Sequence, residues 1–247
     1  PVSGPHEPHA GGVPTSPLRT RGRPPPLTLS LPARAAGEGA RWKTRPTMSD
    51  ALARFSAPTR RWFEGAFGGP TTAQAGAWDA IGRGEHTLVV APTGSGKTLA
   101  AFLWAIDALS GVPAPTEAGE RCRVLYLSPM KALAVDVEKN LREPLAGIAA
   151  AARSMGEAIT PLEVGVRSGD TPAGARRAFI RRGTDILITT PESLFLLLTS
   201  RAREMLGAVE HVIVDEVHAL AGTKRGAHLA VSLERLDALL PQPAQRI

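Results

Sequence analysis

Five short apolar runs, at residues 86–91, 123–128, 162–167, 185–190 and 211–215, punctuate the chain, each bounded by turn-forming or charged residues. Runs of that length and flanking read as strands, and the run at 86–91 as one buried on both faces. Between them lie segments of helical spacing, near 72–81, 97–109, 131–149, 172–181 and 191–198. In the second of these, Leu99, Phe102, Leu103, Ile106 and Leu109 fall on one stripe; in a further helix at 226–240, Leu229, Leu233, Leu236 and Leu240 do the same. Strands alternating with helices predict an α/β fold, an open and mainly parallel sheet with helices on both faces. Gln245, Arg246 and Ile247 read as the opening of one more strand, and so as a domain truncated partway through its sheet.

Residues 1–47 break this pattern. They hold 10 Pro and 6 Gly with almost no apolar periodicity. Such a segment buries too little surface to offset its ordering entropy, which predicts a disordered leader. The expected domain is therefore 48–247, beginning at Met48. Charge divides at the same place. The net charge is +6, but residues 1–47 carry seven Arg and Lys against two acids, whereas 48–247 carry 22 against 21. A folded part so near neutrality excludes a general basic field, and any nucleic-acid contact must come from local loops. The single Cys122 excludes an internal disulfide framework and suits a reducing, cytoplasmic setting. No apolar stretch reaches the ~18–20 residues that span a bilayer.

Two segments carry chemistry. The first is Ala91-Pro92-Thr93-Gly94-Ser95-Gly96-Lys97-Thr98, between an expected strand and an expected helix. Gly94 and Gly96 allow backbone angles and close approach that a Cβ would block, so successive N–H groups, those of Thr93 and Ser95 among them, can face phosphate oxygens. The helix start adds positive potential. Lys97 can reach β- and γ-phosphates and the Thr98 hydroxyl can ligate Mg²⁺. Ala91 stands where the strict pattern has Gly, which keeps a small residue at the turn. The second is Asp215-Glu216-Val217-His218, at the end of the apolar run 211–214. Asp215 is placed to hold magnesium and Glu216 to polarise an attacking water. Together the segments point to binding and hydrolysis of a nucleoside triphosphate with Mg²⁺.

In a parallel sheet all strands end on one edge, where ligands bind. Three more strand ends there carry polar, helix-opening sequences: Ser128-Pro129-Met130-Lys131, Arg167 to Pro172, and Thr189-Thr190-Pro191-Glu192-Ser193. Each combines a capping hydroxyl with a Pro suited to a first helical turn. They are either helix caps alone or anion sites along which a phosphodiester backbone lies. The pairs Arg176-Arg177 and Arg181-Arg182 stand under the same two readings, a solvated face or added backbone contacts. Aromatic residues make up 4% of the chain, which leaves no stacking platform for bases.

Gln74, 91–98, 128–136, 167–171, 190–194 and 215–218 resemble, in order, the Q motif and motifs I, Ia, Ic-like, Ib and II of superfamily 2 DExH-box helicases. The wording of 128–136, 185–194 and 224–229 is similar to that of the bacterial large helicase-related (Lhr) proteins. The resemblance covers nearly all of 52–247 and none of 1–47. It implies a RecA-like P-loop NTPase domain and an ATP-dependent 3′→5′ translocase that separates DNA or RNA–DNA duplexes, often in DNA repair. Carried over by motif, Gln74 contacts adenine, and Lys97 and Thr98 take the phosphates and magnesium. Asp215 and Glu216 take metal and water, and His218 links the ATP site to a second domain. Ser128, Lys131, Gly169, Thr190 and Pro191 face the nucleic-acid strand. The Ser-Ala-Thr motif and the second RecA-like domain with its arginine fingers are missing from this chain. The segment alone is accordingly expected to bind ATP–Mg weakly, hydrolyse little and unwind nothing. A different class, an ATP-switched module that binds nucleic acid or a protein without motor action, shares the same phosphate loop.

Overall fold

The computed structural model describes residues 51–247. The leader expected over 1–47 and the start at Met48 lie outside them. Helices α1 (Ala57–Ala66) and α2 (Thr72–Gly82) come first, followed by α3 (Lys97–Ser110) and the short α4 (Ala118–Arg121). Strand β1 (Val124–Leu127), the long α5 (Lys131–Met155), β2 (Val164–Arg167), α6 (Ala173–Arg182) and β3 (Ile186–Thr189) form the middle. The rest is α7 (Pro191–Leu198), β4 (His211–Val214), α8 (Lys224–Asp237) and β5 (Gln245–Arg246), with 3-10 turns at Arg201–Leu206 and Val217–Ala219. Among the described residues no helix is long and apolar enough to cross a membrane.

The five strands make one sheet in the order β2-β3-β1-β4-β5, and every pairing is parallel. Helices cover both faces, as the alternation predicts. Side chains alternate across each strand. Val124 and Tyr126 of β1, with Ile186 and Ile188 of β3, join a core with Phe63, Trp78, Phe102, Leu103 and Ile106. Leu125, Leu127, Leu187 and Val212 join a second core with Leu194, Leu197, Leu229 and Leu236. β1 and β3 are therefore buried at every position, and each large apolar side chain stabilises the fold by roughly 1.5–3 kcal/mol. Register sets the functional edge. Val124 pairs with both Ile186 and His211, so Leu127, Thr189 and Val214 end level with one another.

The run at 86–91 departs from expectation, because it forms no strand. Thr87 N–H donates to the Arg246 carbonyl at 2.9 Å, and Arg246 N–H donates to His86 Nδ1 at 2.9 Å. Beyond these the segment has no ladder, and Leu88 and Val90 are 74% and 82% exposed. Its neighbour β5 is two residues long, and among the described residues no strand pairs with the segment. Helix α1 was not legible from periodicity; it is held by packing of Phe63 against Trp78 and of α1 along α5.

Candidate nucleotide cleft and nucleic-acid rim

The phosphate loop owes its shape to α2. Thr71 and Gln74 form a reciprocal cap on that helix: Thr71 N–H donates to Gln74 Oε1 at 2.9 Å and Gln74 N–H donates to Thr71 Oγ1 at 3.2 Å. The free ends of both side chains then grip the loop. Thr71 Oγ1 donates to the Ser95 carbonyl and Gln74 Nε2 to the Gly96 carbonyl, each at 3.3 Å. Gln74 is 4% exposed and lies against the loop's underside. Gly94 and Gly96 both have positive φ, +81° and +78°. A Cβ at Gly96 would also come within 2.4 Å of Gln74 Nε2.

Above the loop, Lys97 Nζ donates to the carbonyls of Ala91 and Pro92, at 2.7 and 3.1 Å. The ammonium is thus folded onto the loop's own oxygens, and Ser95 Oγ is buried without a partner. Thr93, Lys97, Thr98, Tyr126, Asp215, Glu216 and His218 line one cleft of about 540 Å³. Asp215 and Glu216 are consecutive, so in a continuing strand they would point to opposite faces. Glu216 instead takes φ 48° and ψ 42°, a left-handed conformation that costs a non-glycine residue about 1–2 kcal/mol. That reversal brings both acids to the cleft and starts the 3-10 turn carrying His218. His218 Nε2 stands 3.3 Å from Glu216 Oε2 and its side chain is 80% exposed. Asp215 N–H donates to the Leu127 carbonyl at 3.0 Å, and its Oδ2 accepts the Tyr126 hydroxyl. Burial and that carboxylate together hold the phenol pKa far above its usual range.

The rim differs from the helix-cap expectation at two of three loops. Thr190 does cap α7, accepting from Ser193 N–H, with Pro191 in the first turn. At the other two the cap residues are Met130 and Pro172, neither with a side-chain cap. Ser128 is fully buried and its hydroxyl donates to the Met130 carbonyl at 3.0 Å, while Thr171 Oγ1 accepts from Ser168 N–H at 2.8 Å. Both hydroxyls shape their loops, and that of Ser128 has spent its one proton there. Lys131 Nζ pairs with Asp170 Oδ2 at 2.7 Å beside Gly169. Arg176 turns back to donate to the carbonyls of Gly169 and Thr171. Arg225 joins the loop at Pro129 to the first turn of α7, donating to the Pro129 carbonyl at 2.8 Å and to Glu192 at 2.7 Å. Sequence reasoning missed Tyr126 and Arg225. The alternation of β1 places Tyr126 beside Val124 among apolar neighbours, and only the fold brings Asp215 to its hydroxyl.

A parallel sheet flanked by helices, with a glycine-bent phosphate loop and paired acids at its strand tips, defines a RecA-like P-loop nucleotide-binding domain. Residues 71–247 match the DEAD/DEAH box helicase family, and the chain belongs to it. It is 65% identical over 199 residues to the Lhr helicase/probable uracil glycosylase of Mycolicibacterium smegmatis, covering 81% of this chain and 13% of that protein. It is 60% identical over 197 residues to the Lhr helicase/uracil glycosylase of Escherichia coli, covering 78% and 13%. The fold superposes on the structure of Mycobacterium smegmatis helicase Lhr bound to ssDNA and AMP-PNP with a TM-score of 0.76, at 64% identity, covering 80% of this chain and 25% of that one. The chain therefore spans about an eighth of the length of these two relatives.

Proposed function

We propose that residues 48–247 are the first RecA-like domain of an ATP-dependent helicase or translocase of the Lhr type, acting on single-stranded DNA or an RNA–DNA hybrid in the cytoplasm, with a role in DNA repair. The observation that carries this reading is the convergence of Lys97, Thr98, Asp215 and Glu216 on one cleft. The solved relative bound to ssDNA and AMP-PNP supports it.

Lys97 would exchange two loop carbonyls for the β- and γ-phosphates, and the amides of Gly94, Gly96 and Lys97 would take the remaining oxygens, whereas the Ser95 N–H expected among them donates to the Pro92 carbonyl at 3.2 Å. The unpartnered Ser95 Oγ and the glycine cradle fit such an anion. Magnesium also fits. Among the described residues no group of three or more His, Cys, Asp or Glu could cage a metal. Thr98 and Asp215 instead offer two oxygens, which suits an ion that keeps waters and phosphate ligands. When bound it would neutralise charge developing on the transferred phosphoryl group. Glu216 would orient and polarise the attacking water, and His218, beside Glu216 and open to solvent, would relay the nucleotide state to a second domain. Gln74 supports the loop from beneath and is not among the residues lining the cleft, so the adenine contact expected of it would require the side chain to leave Thr71 and Gly96. Lys131, Gly169, Thr190 and Pro191 would position the strand without reading its bases, with Ser128 shaping the loop behind them.

The test is binding of a fluorescent ATP analogue to the 247-residue chain with magnesium, and of labelled single-stranded DNA. Lys97→Ala is expected to weaken nucleotide binding at least 100-fold and leave DNA binding without nucleotide within a factor of two. Equal nucleotide affinity for the substituted and unsubstituted chains would overturn the assignment.

A further inference from the structure

We propose that Tyr126 is a positioning residue for the metal-ligating carboxylate of Asp215, a proposal that rests on the nucleotide-site reading above. Three observations converge on it. The Tyr126 hydroxyl donates to Asp215 Oδ2 across the β1–β4 pairing, in which Tyr126 lies beside Ile213. The Tyr126 ring is fully buried and stacks on Phe102, with centroids 4.7 Å apart and planes at 25°. Phe102 belongs to α3, the helix that opens with Lys97 and Thr98. One rigid aromatic pair therefore ties the helix carrying one proposed metal ligand, Thr98, to the carboxylate supplying the other.

Packing alone does not account for the hydroxyl. The position faces an apolar core, where phenylalanine would fill the same space, and a buried phenol needs a partner to offset its desolvation. Its partner is one oxygen of a carboxylate whose backbone N–H is already bonded to β1. With Oδ2 held by the phenol, Asp215 cannot rotate freely, and Oδ1 is the oxygen left to face the cleft. Partners of this kind fix the orientation of metal-binding carboxylates, and their loss typically costs ~10–100-fold in metal affinity.

The experiment measures how much magnesium tightens nucleotide binding. A fluorescent ATP analogue is titrated into the 247-residue chain, once with excess magnesium and once in chelator, and the ratio of the two dissociation constants is the metal-conferred gain. Tyr126→Phe is expected to cut that gain about tenfold while the constant in chelator stays within a factor of two. In an Asp215→Asn background the same substitution is expected to change nothing further. Thermal unfolding is followed in parallel. If Tyr126→Phe did not fold, Phe102→Leu, which keeps the hydroxyl and loosens the ring's seat, is expected to show a smaller loss of the same gain. A metal-conferred gain within twofold of the unsubstituted chain would overturn the proposal, as would equal weakening with and without metal. Absence of nucleotide binding by the unsubstituted chain would sink the nucleotide reading itself, which is a distinguishable result.

Discussion

The candidate nucleotide cleft and the candidate nucleic-acid rim share one edge of the sheet, yet they are finished differently. In the cleft, polar groups are held in reserve. Lys97 rests on loop carbonyls, Ser95 Oγ has no partner, and Glu216 sits in a backbone conformation that costs free energy. On the rim several charged groups are already paired, Lys131 with Asp170, Arg225 with Glu192 and the Pro129 carbonyl, and Arg176 with two loop carbonyls, although Arg167 Nη1 is buried without a partner. A ligand entering the cleft would satisfy Ser95 Oγ and replace the two carbonyls on Lys97 with phosphate oxygens. A strand laid on the rim must instead displace pairs that exist, and exposed pairs are worth only ~0–1 kcal/mol. On the proposed function, the cleft would make a strong, specific contact and the rim many weak ones.

Breaking the cleft is expected to have the largest effect. In a protein carrying this domain together with a second RecA-like domain, Glu216→Gln is expected to lower DNA-stimulated ATP turnover by ~10²–10⁴-fold while leaving nucleotide affinity within about threefold. Turnover reduced less than tenfold would mean that another group activates the water. Loosening the rim should matter less. Arg225→Ala removes the brace between the loop at Pro129 and the first turn of α7, and labelled single-stranded DNA is expected to bind the chain about tenfold more weakly, with nucleotide binding unchanged. Loss of both activities together would show that cleft and rim are not separable. The smallest change runs the other way. Asp170→Asn frees Lys131 from an exposed pair, so DNA binding at low ionic strength is expected to tighten about two- to fivefold. The gain should vanish near 1 M salt, where charges are screened over ~3 Å. A gain that survived high salt would point to a reshaped loop.

Much of this was legible in the chain before folding. Lys97 and Thr98 open a helix after two glycines, and the left-handed angles at Gly94 and Gly96 are those the composition of the loop demands. Leu229, Leu233 and Leu236 face one core from α8, as their spacing predicts, whereas Leu240, expected on the same helix, reaches that core from beyond the helix end at Asp237. Other readings failed for identifiable reasons. Ser128 looks like a helix cap because cap residues and turn residues are the same types, and only geometry sends its hydroxyl to the Met130 carbonyl. The run at 86–91 looks like a buried strand because apolarity records affinity for a neighbour, not whether one is present on both sides.

The positions of most helices and strands and the glycine bends of the phosphate loop were determined by the sequence, because each depends on residues a few positions apart, and the alternation of strand with helix implied the parallel sheet. The tertiary structure alone decided which groups meet across long separations. It placed Tyr126 beneath Asp215, Gln74 under Gly96 and Arg225 against Pro129, since parallel pairing brings distant segments to one edge in a register that no local pattern encodes. It also decided which polar groups are spent inside the fold and which remain for a ligand, because that depends on every neighbour at once.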